Sequence, residues 1–166
     1  MQNAIHYIRQ RKSVRTYSSR RVDPAMLLEL SNYIKNLGSG PFGVPARFEL
    51  LDLEGLDQSE LRSLGTYGFI RGANLYLLGA ARQGREALVD LGYCFEKLIL
   101  KVTALGLGTC WLGGTFKRSS FAEKMNLEPE ELLPVISPVG HAAAAPGAAE
   151  KVVRAGAGSD RRKPWL

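Results

Sequence analysis

Cysteine, histidine and long apolar runs are scarce in this sequence of 166 residues, and each scarcity excludes a class of protein. The two cysteines, Cys94 and Cys110, lie sixteen positions apart, which fits neither a disulfide framework nor a zinc motif, so we expect free thiols. Neither of the two histidines has another potential metal ligand at a typical spacing in the sequence, so we predict no metal site. No run reaches the roughly 18 apolar residues that span a bilayer, and no signal peptide is recognisable. These absences favour a soluble, cytoplasmic protein without a membrane partner.

Acidic residues are missing before Asp23, whereas cations are frequent there. The cations are Arg9, Arg11, Lys12, Arg15, Arg20 and Arg21. Such a run is ordinarily a solvated face, but it could also bind a phosphate group or a nucleic acid. Only Tyr17 is interleaved with the cations, so the stacking platforms of a nucleic-acid site are lacking and that partner is disfavoured.

Apolar periodicity predicts an α+β chain in which helices alternate with four strands. A short first helix follows Asn3, Asp23-Pro24 is typical of a helix start, and Gly38 is typical of a helix stop. The segment from Arg85 to Leu105 predicts a long, largely buried helix. The other predicted elements are helices over 58–64 and 119–125, strands over 48–53, 75–80, 109–112 and 135–139, and a helical turn over 129–132.

Composition divides the chain near residue 141. Residues 1–141 carry the predicted elements and form one predicted domain. Residues 142–166 are rich in alanine and glycine up to Ser159 and then basic, so we expect a mobile tail there.

Glycine-rich segments are present but fail as nucleotide-binding motifs. Gly106 and Gly108 would begin a GxGxxG fingerprint whose third glycine falls on Trp111, and they follow a helix rather than a strand. The glycine spacing before Lys117 does not fit a Walker motif. No Ser/His/Asp or Cys/His set stands out.

One motif remains, the basic segment from Arg11 to Tyr17. Arg11, Lys12, Ser13 and Arg15 place three cations and a hydroxyl within five residues. Such groups can surround a phosphate and a polar ring edge with charge-assisted hydrogen bonds worth about 1.5–3 kcal/mol each. Where the chain is extended, Ser13 and Arg15 point to the same side.

This motif resembles the RxSxR segment near the N-terminus of the flavin-dependent nitroreductase family. Three further segments resemble that family in the same order. Gly106 to Gly114 looks like its helix-to-strand junction beside the flavin ring, and Phe121 to Gly140 looks like its penultimate helix and last core strand. Arg161 to Pro164 is similar to its C-terminal R-K-P segment. The resemblance therefore spans nearly the whole chain.

The resemblance implies an α+β fold in which helices flank a central, mostly antiparallel sheet of four to five strands, with FMN bound noncovalently. The cofactor-binding residues that it implies are Arg11, Lys12, Ser13, Arg15, Leu112, Gly113, Gly114 and Arg162. The implied activity is hydride transfer from NAD(P)H to a small-molecule electron acceptor such as a nitroaromatic or a quinone.

Individual roles follow from the same resemblance. Ser13 and Arg15 map to contacts with the ribityl chain and the pyrimidine edge, and Arg11 and Arg162 map to phosphate contacts. The backbone of Gly113–Gly114 maps to the segment facing the reactive N5, although a simple turn is the alternative reading of these glycines. Cofactor chemistry of this kind requires no catalytic side chain.

One segment departs from the family pattern. Many members carry a polar N-x-Q-P-W segment that reaches the flavin of the partner subunit, whereas this chain has Pro41 to Phe48 at that place. The departure resembles a subgroup of longer nitroreductases in which two halves of one chain mimic the dimer, and this chain resembles the first half. We therefore expect a homodimer, or a pseudo-dimer with a second half.

Two other function classes stay open from the sequence. One is a basic nucleic-acid-binding domain without enzymatic activity. The other is a different reaction of the same fold, either dehalogenation or flavin fragmentation.

Overall fold

The computed structural model describes residues 4–56, 70–145, 147–156 and 158. Its helices, in chain order, are α1 (Ala4–Gln10), α2 (Pro24–Lys35), α3 (Arg85–Ala104), α4 (Arg118–Lys124) and α5 (Ala148–Gly156). Its strands are β1 (Ala46–Asp52), β2 (Leu75–Arg82), β3 (Gly108–Thr109) and β4 (Glu131–Gly140). Within the described part of the chain, no helix is long and apolar enough to cross a membrane.

The four strands form one sheet in the order β1-β2-β4-β3, and every neighbouring pair is antiparallel. This confirms the α+β prediction and the mostly antiparallel sheet. Strand β2 is central and buried as far as Ala81, and its side chains alternate between two apolar clusters. Leu78 faces the cluster that contains Phe121 of α4, whereas Leu77 faces the cluster that contains Phe95 of α3. The sheet is therefore covered on both faces.

Helix α3 is the main helical support of the sheet, as its apolar periodicity predicts. Phe95, Leu98 and Ile99 are fully buried, whereas Leu88 and Tyr93 are exposed. Leu88 was part of the predicted apolar face, so that face is narrower at the start of the helix than the sequence suggested. Cys94 on this helix and Cys110 beyond it are buried free thiols, as predicted.

Helix α2 begins as its sequence predicts. The Asp23 side chain accepts a hydrogen bond of 2.8 Å from the backbone N–H of Ala25, and Pro24 takes the first helical position. The predicted cap Asn3 and the predicted helix over 58–64 lie outside the described residues.

Two predicted segments are corrected by the structure. Glu131 and Leu132 extend β4 instead of forming a helical turn, because they pair with Arg82 and Ala81 of β2. The segment 142–166, which the sequence predicts to be a mobile tail, contains the nine-residue helix α5. Alanine-rich sequence favours a helix once a neighbouring surface fixes its first turn.

The loop between α2 and β1 is fastened to α3 by one buried carboxylate. Asp90 is fully buried and accepts hydrogen bonds from the backbone N–H groups of Phe42 (2.9 Å) and Val44 (2.7 Å). Gly40 lies so close that a Cβ there would stand 2.5 Å from Oδ1 of Asp90. This loop is the segment that departs from the family pattern, and it presents Phe42 to the surface.

Replacing Asp90 with alanine should therefore destabilise the fold. Two loop N–H groups would lose their acceptor, and we expect the free energy of unfolding to fall by about 1–3 kcal/mol in urea denaturation. Glu86→Ala, an exposed position of the same helix, is the control and should stay within about 0.5 kcal/mol of the parent. Equal stabilities of the two variants would contradict this anchoring role.

Candidate functional site

The basic segment passes beside β3 and is joined to it by an isolated β-bridge. Ser13 pairs with Thr109 in a parallel bridge, and the N–H of Val14 donates to the carbonyl of Thr109 at 2.8 Å. A Cβ on Gly108 would lie 2.8 Å from Val14, so glycine is needed for this close approach. The local pairing fixes the register of Ser13 relative to the sheet edge.

The same segment is fastened at its other end by backbone bonds. The carbonyl of Arg15 accepts from the N–H of Arg71 at 2.9 Å, and the N–H of Tyr17 donates to the carbonyl of Arg71 at 2.8 Å. The N–H of Ser18 donates to the carbonyl of His141 at 2.9 Å. Residues 13–18, which we call the anchor segment, are therefore held by three separate parts of the chain.

The chain before and within α5 adds a further set of bonds to the anchor segment. The N–H of Ala143 donates to the carbonyl of Thr16 at 2.9 Å, and the N–H of Gly147 donates to the hydroxyl of Thr16 at 3.1 Å. The N–H of Arg15 donates to Oε2 of Glu150 at 3.1 Å. Sequence reasoning missed Glu150 because nothing local distinguishes it from an ordinary solvated glutamate.

Three buried polar atoms in or beside the anchor segment have no hydrogen-bond partner among the residues that the structure describes. They are Nη1 of Arg15, the hydroxyl oxygen of Thr109 and Nε2 of His141. Unpaired buried donors are costly, and they point to an acceptor that a bound group would supply. Ser13 and Arg15 both lie near Cys110, and Ser13 is paired with Thr109, a residue that the sequence had not marked.

Cys110 completes this cluster from the sheet side. Burial raises the pKa of its thiol, and the positive charge of Arg15 and a hydrogen bond with Ser13 partly oppose that shift. The neutral thiol is therefore the stable form, and Cys110 acts as a small apolar residue under the site.

Arg11 and Lys12 occupy different environments. The Nε of Arg11 lies 3.4 Å from a carboxylate oxygen of Glu96, and the indole N–H of Trp111 donates to the same carboxylate at 2.9 Å. Lys12 is exposed. Arg162, the fourth predicted cation, lies outside the described residues.

Three predicted cofactor-binding residues follow Trp111 and form a β-bridge and a turn. They are Leu112, Gly113 and Gly114. Leu112 is buried and exchanges backbone hydrogen bonds of 2.9 and 3.0 Å with Ile136. A Cβ on Gly114 would meet no atom within 4 Å, and one on Gly113 would meet only the carbonyl oxygen of Pro134 at 3.7 Å. The backbone of this turn is thus open to close approach by another group.

Arg118 holds the turn from outside. Its Nη2 donates to the carbonyl of Gly113 at 2.7 Å, and its Nε donates to the carbonyl of Leu133 at 3.0 Å. Its guanidinium also lies 5.6 Å from the centre of the Phe116 ring. Sequence reasoning did not identify Arg118, since an arginine at the start of a helix has no distinctive spacing.

A separate cavity of about 460 Å³ lies beyond the anchor segment, at the end of the sheet. Arg20, Arg21, Asp52 and Glu54 contribute charges of both signs to its lining. Arg21 is ion-paired with Glu54. Except for the anchor residues Tyr17 and Ser18, this cavity shares no lining residue with the cluster around Arg15, and its mixed charges favour no single ligand class. We therefore place the candidate site at Arg15, Ser13 and the glycine turn.

The fold and this arrangement define an α+β protein with a cation-rich extended segment at the sheet edge. The family model described as "Putative TM nitroreductase" matches residues 3–164. The chain belongs to this nitroreductase family. Comparison with curated proteins gives no significant match.

Solved structures of nitroreductases have the same fold. A nitroreductase family protein from Clostridium difficile 630 is 18% identical with a TM-score of 0.67, and the match covers 96% of this chain and 92% of that one. An FMN-dependent nitroreductase from Clostridium difficile R20291 is 18% identical with a TM-score of 0.67, covering 85% and 88%. The FMN and NADPH-dependent nitroreductase NfnB from Sphigopyxis sp. strain HMH is 18% identical with a TM-score of 0.65, covering 84% and 88%.

Arg118→Ala should loosen the glycine turn. Loss of two side-chain hydrogen bonds should lower the free energy of unfolding by about 1–2 kcal/mol and speed hydrogen exchange of the amides at 113–115. Lys117→Ala, at the exposed neighbouring position, should change neither quantity. Unchanged exchange in the Arg118 variant would show that the turn is rigid without this side chain.

Proposed function

We propose that this chain binds FMN noncovalently and serves as an oxidoreductase that passes hydride from NAD(P)H to a nitroaromatic, a quinone or a similar acceptor. The observation that carries the proposal is Nη1 of Arg15, which is buried, has no hydrogen-bond partner among the described residues and belongs to a backbone segment fixed from several sides. Family membership and the FMN-dependent relatives of the same fold support it.

The residues present fit the cofactor in chemical character. Arg15 offers a buried guanidinium donor, and Ser13 and Thr109 offer hydroxyls beside it. Such donors suit the oxygen-rich pyrimidine edge and ribityl chain. Lys12 and Arg11 would add positive charge for the phosphate, and Arg162 is proposed to join them.

Bound FMN would supply the hydride chemistry, and the protein would supply binding and orientation. The open backbone at Gly113 and Gly114 lets the plane of a ring approach without steric conflict. N–H donors of this turn would stabilise negative charge on a reduced ring. Arg118 keeps the turn in place, and the buried Leu112 holds it to β4.

A second copy, or a second half of a longer chain, is proposed to complete the site. Val89 and Tyr93 expose apolar surface on α3, and Phe42 does so on the fastened loop. Exposed apolar groups near one another are typical of interaction surfaces. Because the loop is apolar where many family members are polar, the chain paired with itself would bind FMN more weakly than those members do.

Arg15→Ala should weaken FMN binding about ten- to hundredfold, because one charge-assisted contact is lost. The measurement is quenching of flavin fluorescence on titration with protein. Arg20→Ala is the matched control, because Arg20 is exposed and lines the separate cavity.

Equal affinities of the Arg15 and Arg20 variants would contradict this assignment of the site. A parent protein that binds no FMN, but shifts DNA in low salt, would favour the nucleic-acid alternative instead. Oxidation of NADH and NADPH with a panel of acceptors then tests the activity and decides between the two donors.

A further inference from the structure

Glu150 is a buried anion next to the candidate site. It lies in the first turn of α5 and is 7% exposed, although glutamate is rarely buried without a partner. Its Oε2 accepts a hydrogen bond of 3.1 Å from the backbone N–H of Arg15. A carboxylate bound to a backbone N–H forms a charge-assisted bond, which is stronger than a bond between neutral groups.

We propose that Glu150 is a positioning residue for cofactor binding, which fixes the peptide of Arg15 so that its guanidinium meets the flavin in one orientation. This inference rests on the proposed function. Glu150 itself would not touch the flavin but would act through Arg15.

The backbone geometry explains why Arg15 depends on this contact. The carbonyl of Arg15 is bound by the N–H of Arg71, so the N–H of Arg15 is the other group that must be satisfied. Thr16, the next residue, is bound through both its carbonyl and its hydroxyl by Ala143 and Gly147. Without the carboxylate, the part-buried N–H of Arg15 would lose its acceptor and the peptide would be free to turn.

The electrostatics of Cys110 agree with this arrangement. The positive charge of Arg15 lowers the pKa of the Cys110 thiol and the negative charge of Glu150 raises it, so both residues lie near that thiol. The hydrogen bond of Glu150 goes to the backbone, so the Nη1 donor of Arg15 stays available to a ligand.

The test compares FMN affinity for three single variants by fluorescence titration. Glu150→Ala should weaken binding on the order of tenfold, because the Arg15 peptide loses its acceptor. Glu150→Gln should stay within about threefold of the parent, because the amide oxygen still accepts from the N–H. Lys151→Ala, an exposed neighbour on the same helix, is the matched control and should bind as the parent does.

A double-mutant cycle with Arg15→Ala separates positioning from a general loss of structure. If Glu150 acts through Arg15, Glu150→Ala should have little further effect once Arg15 is alanine. Thermal unfolding of each variant checks that the domain remains folded, and the glutamine variant keeps the packing of α5 if the alanine variant does not.

Three results would overturn the proposal. They are equal affinities of Glu150→Ala and Lys151→Ala, a Glu150→Gln variant as weak as the alanine variant, or the same loss from Glu150→Ala in both Arg15 backgrounds. Failure of the proposed function has a different signature, because the parent protein itself would then bind no FMN and both ideas would fall together.

Discussion

The backbone hydrogen bonds of the anchor segment are the constraint on which the candidate site depends. An isolated extended strand has no internal partners for its N–H and C=O groups, so residues 13–18 keep their shape only by pairing with other parts of the fold. Thr109, Arg71 and His141 provide those partners, and they are distant from the segment and from one another along the chain. Arg15, the cation of this segment, thus obtains a fixed backbone position from parts of the chain that are distant from it in sequence.

The close packing of the anchor segment against β3 and the burial of its side-chain atoms then determine the chemical character of the site. Because Gly108 has no side chain, Val14 can pack directly against β3, and Ser13 and Arg15 therefore lie close to the buried Cys110. A guanidinium nitrogen that is buried there without a partner among the described residues is a strong donor, whereas the same nitrogen on the exposed Arg20 would simply bind water. Burial thus distinguishes Arg15 from Arg20, although both residues are arginines in the same basic run.

Most of the regular elements could be predicted from sequence, because their signals are local. The helix over 85–104 follows apolar periodicity, and the start of α2 follows from a capping aspartate and a proline. The extension of β4 to Glu131 was missed, since that pairing is decided by β2 across the sheet. Helix α5 was also missed, because its amphipathic residues lie in a stretch whose alanine and glycine content is typical of a mobile tail, and its Glu150 is recognisable only from its contact with Arg15.

The sequence by itself determined the α+β class, the motif around Arg15 and the resemblance to nitroreductases, since these reside in residue types and short spacings. The tertiary structure alone decided that Nη1 of Arg15 is buried, that Arg11 contacts Glu96, and that Arg118 holds the glycine turn. Those contacts join residues from different elements, and their energies depend on burial and distance. Neither quantity exists until the sheet and its helices have packed together.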